Sequence, residues 1–325
     1  MRLSADPASR VTLEDVRAAA RTLEGVAVRT PLIEISALSA RAGVPVALKC
    51  EQLQPIGAFK IRGAYNAIAR VAREGGASGV VTQSSGNHGQ AVAYAARAFG
   101  LRAVVVMPAS TPAIKVAGVR RHGGEVVLAG AVRSPEQLQR AEAIAREEGL
   151  AMIPPFDHPD VVAGQGTIGL EILEQRPDVD TILVPVSGGG LLAGISVAVA
   201  ALAPATRVLA VEPAGAAKLT AALAAGAPRT LERTESIADG LLTRSIGTFT
   251  FPIIRRMVRE AVQVTEDEIA AAVRFLHRDA GLRVEPSGAV TTAAILAGRI
   301  ELAGPTVAVV SGGNVDPDLF QSLVE

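Results

Sequence analysis

The chain alternates short apolar runs, many of them rich in valine, with longer segments that have the pattern of helices. Short apolar runs bounded by glycine, proline or polar residues are typical of buried β-strands, and strands that alternate with helices indicate parallel sheets. The pattern therefore predicts an α/β fold. The predicted strands are residues 79–82, 103–107, 125–128, 181–186, 207–211 and 306–310.

The helical segments carry local start and stop signals. Thr265 is followed three residues later by Glu268, a capping box that predicts a helix running through Asp279. Gly149 ends the predicted helix of residues 135–148. The stretch from about residue 79 to Gly149 makes a small α/β unit. The other predicted helices are the alanine-rich segment after residue 89 up to about 99, and residues 111–121, 135–148, 164–174, 191–202, 216–225 and 286–298.

Composition and charge narrow the functional class. Of the 325 residues, 49% are hydrophobic and 20% are charged, which is enough to build a full core. Lys+Arg and Asp+Glu both number 32, and this balance argues against a general nucleic-acid or membrane-surface binder. The single cysteine, Cys50, has no partner for an internal disulfide and no second thiol for a zinc site, so we expect a buried apolar thiol.

One segment, residues 181–206, carries no charge and is long enough to suggest a membrane span. Pro185, a serine–glycine cluster and Pro204 interrupt it, so a buried strand, a glycine loop and a buried helix explain it better. Residues 1–10 are polar and lack the apolar segment of a signal peptide. We therefore expect a cytoplasmic protein with no membrane partner.

Lys60 is the first candidate for chemistry. It follows Phe59, and Gly57 loosens the approach of the chain. A lysine on a helix surface is usually a solvated charge, and that is the simpler interpretation. If a pocket instead removes the amine from water, its pKa falls and the amine becomes nucleophilic.

A second candidate is the loop of residues 84–89, which reads Ser-Ser-Gly-Asn-His-Gly between a predicted strand and a predicted helix. Such a junction presents unpaired backbone N–H groups and the positive end of a helix dipole, which together suit a carboxylate. The simpler alternative is a serine–glycine helix cap.

A third candidate is the loop of residues 187–190, Ser-Gly-Gly-Gly, at the end of another predicted strand. Consecutive glycines let backbone N–H groups close around a phosphate without obstruction by side chains. A plain turn is the alternative. The Gly-x-Gly-x-x-Gly spacing of a dinucleotide fold is absent and the loop holds no lysine, so a nucleotide-binding module is a weaker interpretation.

These segments, with Ser-Gly-Gly-Asn at residues 311–314 after the last predicted strand, occur in an order and spacing that resemble one enzyme family. They resemble the serine/threonine dehydratase and serine racemase family, the fold-type II pyridoxal phosphate enzymes, from about residue 30 to 316. The resemblance implies two open-sheet domains of the tryptophan synthase β-like type. The implied large domain is discontinuous, residues 1–79 and 156–325, and the small domain is residues 80–155.

The resemblance also implies pyridoxal 5'-phosphate as cofactor and a role for each segment. Lys60 is then the Schiff-base lysine, Asn87 binds the phenolic oxygen of the cofactor, and Ser311 faces its pyridine nitrogen. The implied ligands of the substrate are Ser84, Ser85, Gly86, Asn87 and His88, and those of the cofactor are Phe59, Lys60, Asn87, Ser187, Gly188, Gly189, Gly190, Leu191, Gly240, Glu285 and Ser311.

The implied reaction is β-elimination of water from L-threonine, L-serine or a related β-hydroxy amino acid, giving a 2-keto acid and ammonia, with Lys60 placed to take the α-proton. The alternative is a serine racemase with side dehydratase activity, in which Ser85 carries the second proton. The simpler interpretation is that Ser85 only donates a hydrogen bond to the substrate carboxylate. A pyridoxal phosphate carrier without activity fits less well, because the lysine and the substrate loop are intact. Relatives are commonly homodimers, and we expect one here.

Two residues depart from the family pattern. Ala58 stands where the family usually has serine, which removes a hydroxyl close to the cofactor. Many racemase-like relatives bind a divalent cation through a glutamate matching Glu212 and an aspartate six residues later, but that position here is Lys218. An ammonium cannot ligate a divalent cation. We therefore expect no metal at this site and an ion pair between Glu212 and Lys218 instead.

Overall fold

The computed structural model of the protein describes residues 11–132, 134–258 and 261–325. Within these residues the strands form a six-stranded sheet and a four-stranded sheet. The strands are β1 Leu32–Glu34, β2 Val46–Cys50, β3 Gly79–Gln83, β4 Arg102–Met107, β5 Glu125–Leu128, β6 Ala151–Met152, β7 Thr181–Pro185, β8 Arg207–Pro213, β9 Ala261–Val264 and β10 Thr306–Val310.

The six-stranded sheet has the order β1-β2-β10-β7-β8-β9, and the four-stranded sheet has the order β5-β4-β3-β6. Neighbouring strands of the described residues are parallel, apart from the antiparallel pair β1 and β2. The helices are α1 Leu13–Thr22, α2 Ser36–Ala42, α3 Lys60–Glu74, α4 Asn87–Ala98, α5 Ala113–Arg121, α6 Glu136–Glu148, α7 Pro159–Gln175, α8 Gly190–Leu202, α9 Lys218–Ala225, α10 Thr250–Met257, α11 Glu266–Arg278, α12 Pro286–Leu296 and α13 Pro317–Val324.

Helices cover both faces of the six-stranded sheet, so its central strands are buried on both sides. In β7, Ile182 and Val184 pack in the core formed with α1, α7, α8 and α10, whereas Leu183 packs in the core formed with α2, α11, α12 and α13. Successive side chains of a strand point to opposite faces. Burial on both faces explains why these strands appear in the sequence as unbroken apolar runs.

The four-stranded sheet is built from strands between Gly79 and Met152, whereas the six-stranded sheet takes strands from both sides of that segment in the chain. One of its faces packs against α3 and α4 through residues such as Ile61 and Val105, and the other packs against α6 through residues such as Ile144. The fold class predicted from the sequence is confirmed. The domain boundaries at residues 79/80 and 155/156 stay a prediction.

The predicted strands are all present, and the predicted capping box at Thr265 and Glu268 begins α11. The prediction for α7 was wrong at its start, because this helix begins at Pro159 and not at residue 164. His158 caps it by accepting a hydrogen bond from the Asp160 N–H, and proline is well suited to the first helical turn.

Residues 181–206, uncharged and long, form β7, a glycine loop and α8, as the sequence predicted. Across the described parts of the chain, we find no helix with both the length and the apolar character required to span a bilayer. Cys50 is fully buried at the end of β2, and its thiol pKa is raised to about 11 by burial.

Candidate functional site

The predicted site segments meet beyond the carboxyl ends of β7 and β10. Ser311 follows β10 directly, and its carbonyl accepts the Phe59 N–H at 3.0 Å. From the other sheet, the Asn87 side chain donates to Glu285 Oε1 at 2.7 Å. The cleft between the two sheets therefore lies where ligands of open parallel sheets bind, at the carboxyl ends of the strands.

Lys60 is the first residue of α3 and is partly exposed in this cleft. Its Nζ donates to the Pro155 carbonyl at 2.7 Å. Burial lowers the pKa of the Lys60 amine to about 8. Because the neutral amine is the nucleophile and the base, this environment prepares Lys60 for both roles near neutral pH.

A buried ion network that sequence reasoning missed holds the start of α3. Arg62 donates to Glu51 Oε2 at 2.8 Å and to Glu171 Oε1 at 2.6 Å. Lys49, on β2, donates to Glu171 Oε2 at 2.6 Å. Buried charges are stable only when paired and hydrogen-bonded, so the network fixes α3 against β2 and α7. Lys60 lies two residues from Arg62, and its position depends on this arrangement.

The glycine loop presents free backbone donors at the start of α8. Gly189 precedes the helix with φ +98°, a conformation that favours glycine. Within the described residues, the N–H groups of residues 188–191 have no protein acceptor. Together with the positive end of the α8 dipole, they form a site for a phosphate group.

The loop also needs glycines because Phe156 packs directly beneath it. A Cβ atom at Gly188 would overlap the Phe156 ring, and one at Gly190 would lie 3.1 Å from the Phe156 Cβ atom. A Cβ atom at Gly189 would lie 2.7 Å from Ile254. Side chains at these positions would displace the backbone, so the glycines keep the N–H groups accessible.

A chain of hydrogen bonds connects Asn87 to the ends of two other segments. Asn314, which the sequence interpretation gave no role, donates to the Asn87 oxygen at 2.8 Å, and Asn87 donates to Glu285. Burial, with the nearby negative charge of Asp239, raises the pKa of Glu285 to about 8. Glu285 is therefore mostly a neutral acid at pH 7, which keeps negative charge away from this part of the cleft.

The loop that precedes α4 contains Ser84, Ser85 and Gly86, and α4 begins at Asn87. Ser84 Oγ accepts the Gly86 N–H at 3.3 Å. His88 Nε2 lies 3.0 Å from the Ile153 carbonyl, which can only accept, so Nε2 carries the proton. Burial, and secondly the charge of Lys60, lowers the pKa of His88 to about 3, so His88 is neutral and a loop-shaping role suits it better than that of a base.

A profile of the family described as "Pyridoxal-phosphate dependent enzyme" matches residues 6–312. An L-threonine ammonia-lyase of Thermotoga maritima is 42% identical over 315 residues, which cover 97% of this chain and 78% of that protein. An L-threonine ammonia-lyase of Geobacter sulfurreducens is 46% identical over 299 residues, 91% of this chain and 74% of that protein. The chain belongs to the pyridoxal-phosphate-dependent enzymes.

This pyridoxal-phosphate-dependent enzyme also has a close structural relative. Maize serine racemase superposes with a TM-score of 0.92 and 38% identity, over 96% of this chain and 97% of that one. The family, the fold and the cofactor predicted from the sequence are confirmed, and the enzyme is an ammonia-lyase. The residues present fit the cofactor, since a lysine amine with a lowered pKa and a row of free N–H groups border one cleft.

The remaining predicted ligands lie around the same cleft. The Gly240 N–H donates to Ser287 Oγ at 2.9 Å, and Ser311 Oγ lies 3.5 Å from the Ser287 carbonyl. Ser187 Oγ is 3.1 Å from Thr243 Oγ1, and Leu191 follows the glycines in the first turn of α8. The structure thus brings these residues together with Lys60, while their individual roles toward the cofactor stay predictions.

The predicted ion pair between Glu212 and Lys218 is confirmed. Lys218 Nζ lies 3.7 Å from Glu212 Oε2, and both side chains are fully buried. The same Nζ donates to the Ala216 carbonyl at 2.7 Å. Glu212 also accepts the N–H groups of Leu219 and Thr220, each at 2.9 Å, at the start of α9. The ammonium therefore already supplies a positive charge to this carboxylate.

Proposed function

We propose that this enzyme acts on L-threonine and L-serine and converts each to a 2-keto acid and ammonia. The observation that carries the proposal is the position of Lys60, whose amine has a lowered pKa and borders the same cleft as the free N–H groups of residues 188–191. The named activity of the two ammonia-lyase relatives supports threonine as the first substrate to test.

In the proposed arrangement, Lys60 and the glycine loop hold the cofactor by its two ends. The Lys60 amine would hold the aldehyde carbon, and residues 188–191 would bind the phosphate through their N–H groups. Bound pyridoxal phosphate supplies a conjugated ring that withdraws electrons from the substrate α-carbon. Ser311 would present a neutral hydroxyl to the pyridine nitrogen of the bound cofactor.

The substrate is positioned by the loop before α4. Its α-carboxylate binds at residues 84–88, where the helix presents backbone N–H groups and the positive end of its dipole. This leaves the α-carbon between the loop and Lys60. Because the substrate carboxylate and the Lys60 amine are both held in place, the entropy cost of proton transfer between the α-carbon and the amine is lower.

Lys60 then takes the α-proton. Because burial holds its pKa to about 8, a sizeable fraction of the free amine is neutral near pH 7.5, and the Pro155 carbonyl orients it. The electrons of the broken Cα–H bond form the second bond between Cα and Cβ, and the β-hydroxyl leaves with a proton as water. Hydrolysis of the unsaturated product consumes one water and releases the 2-keto acid and ammonia.

The test uses the purified full-length protein with added pyridoxal phosphate. We expect a visible absorption band that is lost on borohydride reduction, and this reduction should attach the cofactor covalently to Lys60. We also expect keto acid to form from L-threonine and L-serine. A labelled lysine other than Lys60, or no keto acid from any member of a panel of β-hydroxy amino acids, would contradict the proposal.

A second candidate activity is racemisation of serine, and the similarity to maize serine racemase favours including it. We propose that it uses Ser85 as the second proton carrier. We propose it only as a secondary activity, because Lys218 occupies the position where metal-binding, racemase-like relatives carry an aspartate. We also expect a homodimer and a cytoplasmic location. Size-exclusion chromatography with light scattering tests the homodimer, and cell fractionation tests the location.

A further inference from the structure

Asp157 caps a turn that sequence reasoning did not connect with the site. Its Oδ1 accepts the N–H groups of Phe249 and Thr250 at 3.0 and 3.1 Å. Its Oδ2 accepts the N–H group and the hydroxyl of Thr248 at 3.1 and 3.2 Å. The carboxylate thereby satisfies the free donors at the beginning of α10 and fixes the turn of residues 247–250.

This turn holds the glycine loop by one carbonyl group. The Gly188 carbonyl accepts the Gly247 N–H at 3.0 Å and the Thr250 hydroxyl at 2.8 Å. In a trans peptide the C=O and the following N–H point in opposite directions. With both bonds on the Gly188 carbonyl, the Gly189 N–H is directed away from the turn and stays free.

The residues before Asp157 touch the same site. Phe156 packs beneath Gly188 and Gly190, and the Pro155 carbonyl accepts the Lys60 amine. Three consecutive residues therefore contact the lysine, the glycine loop and the turn that orients that loop. The segment is placed to coordinate the two ends of the cofactor.

The charge of Asp157 cannot explain this placement by attraction, because a carboxylate repels a phosphate. Its oxygens instead take three backbone N–H groups, and charge-assisted bonds of this kind are the stronger ones. We therefore attribute the effect of Asp157 on the site to the way its carboxylate orients the turn of residues 247–250.

We propose that Asp157 is a positioning residue for the cofactor phosphate. Through the turn of residues 247–250 it fixes the Gly188 peptide, so that the N–H groups of residues 188–191 stay directed at the phosphate. The inference rests on the proposed function, because it assumes that this loop binds the phosphate of the cofactor.

The experiment titrates the full-length protein, freed of cofactor, with pyridoxal phosphate and separately with pyridoxal, which lacks the phosphate. For Asp157→Ala we expect an affinity for pyridoxal phosphate about tenfold lower, the usual size of a lost cap. The affinity for pyridoxal should not change. Asp157→Asn should lose less, because its oxygen still accepts from Phe249 and Thr250.

Asp160→Asn is the matched control. Asp160 is three residues away and pairs with Arg70 at 2.9 Å, outside the glycine loop, so its replacement should leave both affinities unchanged. If Asp157→Ala does not fold, Thr250→Val removes the hydroxyl bond to Gly188 and should give the same phosphate-specific loss.

Equal losses for pyridoxal phosphate and pyridoxal would show a general structural role and overturn the inference, as would unchanged affinities in both Asp157→Ala and Thr250→Val. If the wild-type protein binds pyridoxal phosphate no better than pyridoxal, the assignment of the glycine loop is wrong and the proposed arrangement of the cofactor fails with it.

Discussion

Lys60 and Lys218 have the same lowered pKa in two different environments. Burial lowers the pKa of each amine to about 8, and each amine donates to a backbone carbonyl at 2.7 Å. Lys218 is fully buried beside Glu212, at 3.7 Å. Lys60 is partly exposed in the cleft, and no ion pair with a carboxylate is found for it among the described residues.

The difference shows that a lowered pKa alone does not identify a catalytic lysine. A perturbed pKa marks functional sites and structural ion pairs alike. What distinguishes Lys60 is access to a cleft with free anion-binding N–H groups, whereas Lys218 supplies charge to a buried carboxylate. Replacing each lysine separately tests this distinction.

Replacing Lys60 by alanine should remove the activity. For Lys60→Ala we expect turnover to fall by at least about 10²–10⁴-fold, the range of a lost general base, together with loss of the visible band of the bound cofactor. The melting temperature should stay close to that of the wild type, because the amine has no ion-pair partner to leave unpaired. Substantial turnover with a normal spectrum would show that the wrong lysine was chosen.

Gly189→Asp should weaken cofactor binding while the protein stays folded. The φ of +98° disfavours any side chain, and a carboxylate beside the phosphate adds repulsion. Equilibrium titration with pyridoxal phosphate measures the loss. Gly189→Ala, which carries the strain without the charge, should lose less. Unchanged affinity in Gly189→Asp would remove residues 187–190 from the phosphate site.

Lys218→Met should act on stability rather than on chemistry. Removal of the ammonium leaves Glu212 buried without an opposite charge, held only by hydrogen bonds such as those from the Leu219 and Thr220 N–H groups. Loss of one partner of a buried ion pair costs about 3–5 kcal/mol. Urea unfolding measures this loss, and the double variant with Glu212→Gln should recover part of it. Turnover per folded molecule should persist.

If Lys218 takes the place of a metal, wild-type activity should be insensitive to EDTA. Activity lost in EDTA and restored by Mg²⁺ would contradict that interpretation of the site.

The pH dependence of cofactor capture separates Lys60 from an ordinary lysine. The neutral amine attacks the aldehyde, so the rate for cofactor-free protein should rise with pH up to about 8, the pKa of Lys60, and then level off. An unperturbed lysine would continue to gain rate to above about pH 10. Stopped-flow absorbance gives the profile, and Lys218→Met should show the same one. A rate that climbs tenfold per pH unit through pH 9 would mean that the amine is solvated.

The sequence could predict six of the ten strands of the described residues, and the site loops, because these are specified by local patterns. It did not predict β1, β2, β6 and β9. Buried strands appear as unbroken apolar runs, and the glycine loop lies directly between β7 and α8. Contacts between distant residues leave no such trace. Arg62 pairs with Glu171, 109 residues away, and Asp157 accepts the N–H group of Thr248, 91 residues later. These contacts depend on how α3, α7 and α10 pack together, which no local pattern specifies.

Ser85 should give the smallest effect, because racemisation is expected to be a minor activity. Inversion of the configuration at the α-carbon needs a second proton carrier on the side opposite Lys60. A serine hydroxyl can act as that carrier only if its neighbours hold it near the α-carbon. His88 is neutral with a pKa of about 3, so it is not a base that could activate the hydroxyl at neutral pH. In Ser85→Ala we expect D-serine formation to disappear while some elimination persists, measured by chiral chromatography after incubation with L-serine. Ser84→Ala, which removes the acceptor of the Gly86 N–H, is the control and should lower both activities in parallel. No D-serine from the wild type, or equal amounts from the wild type and Ser85→Ala, would limit Ser85 to binding the substrate carboxylate.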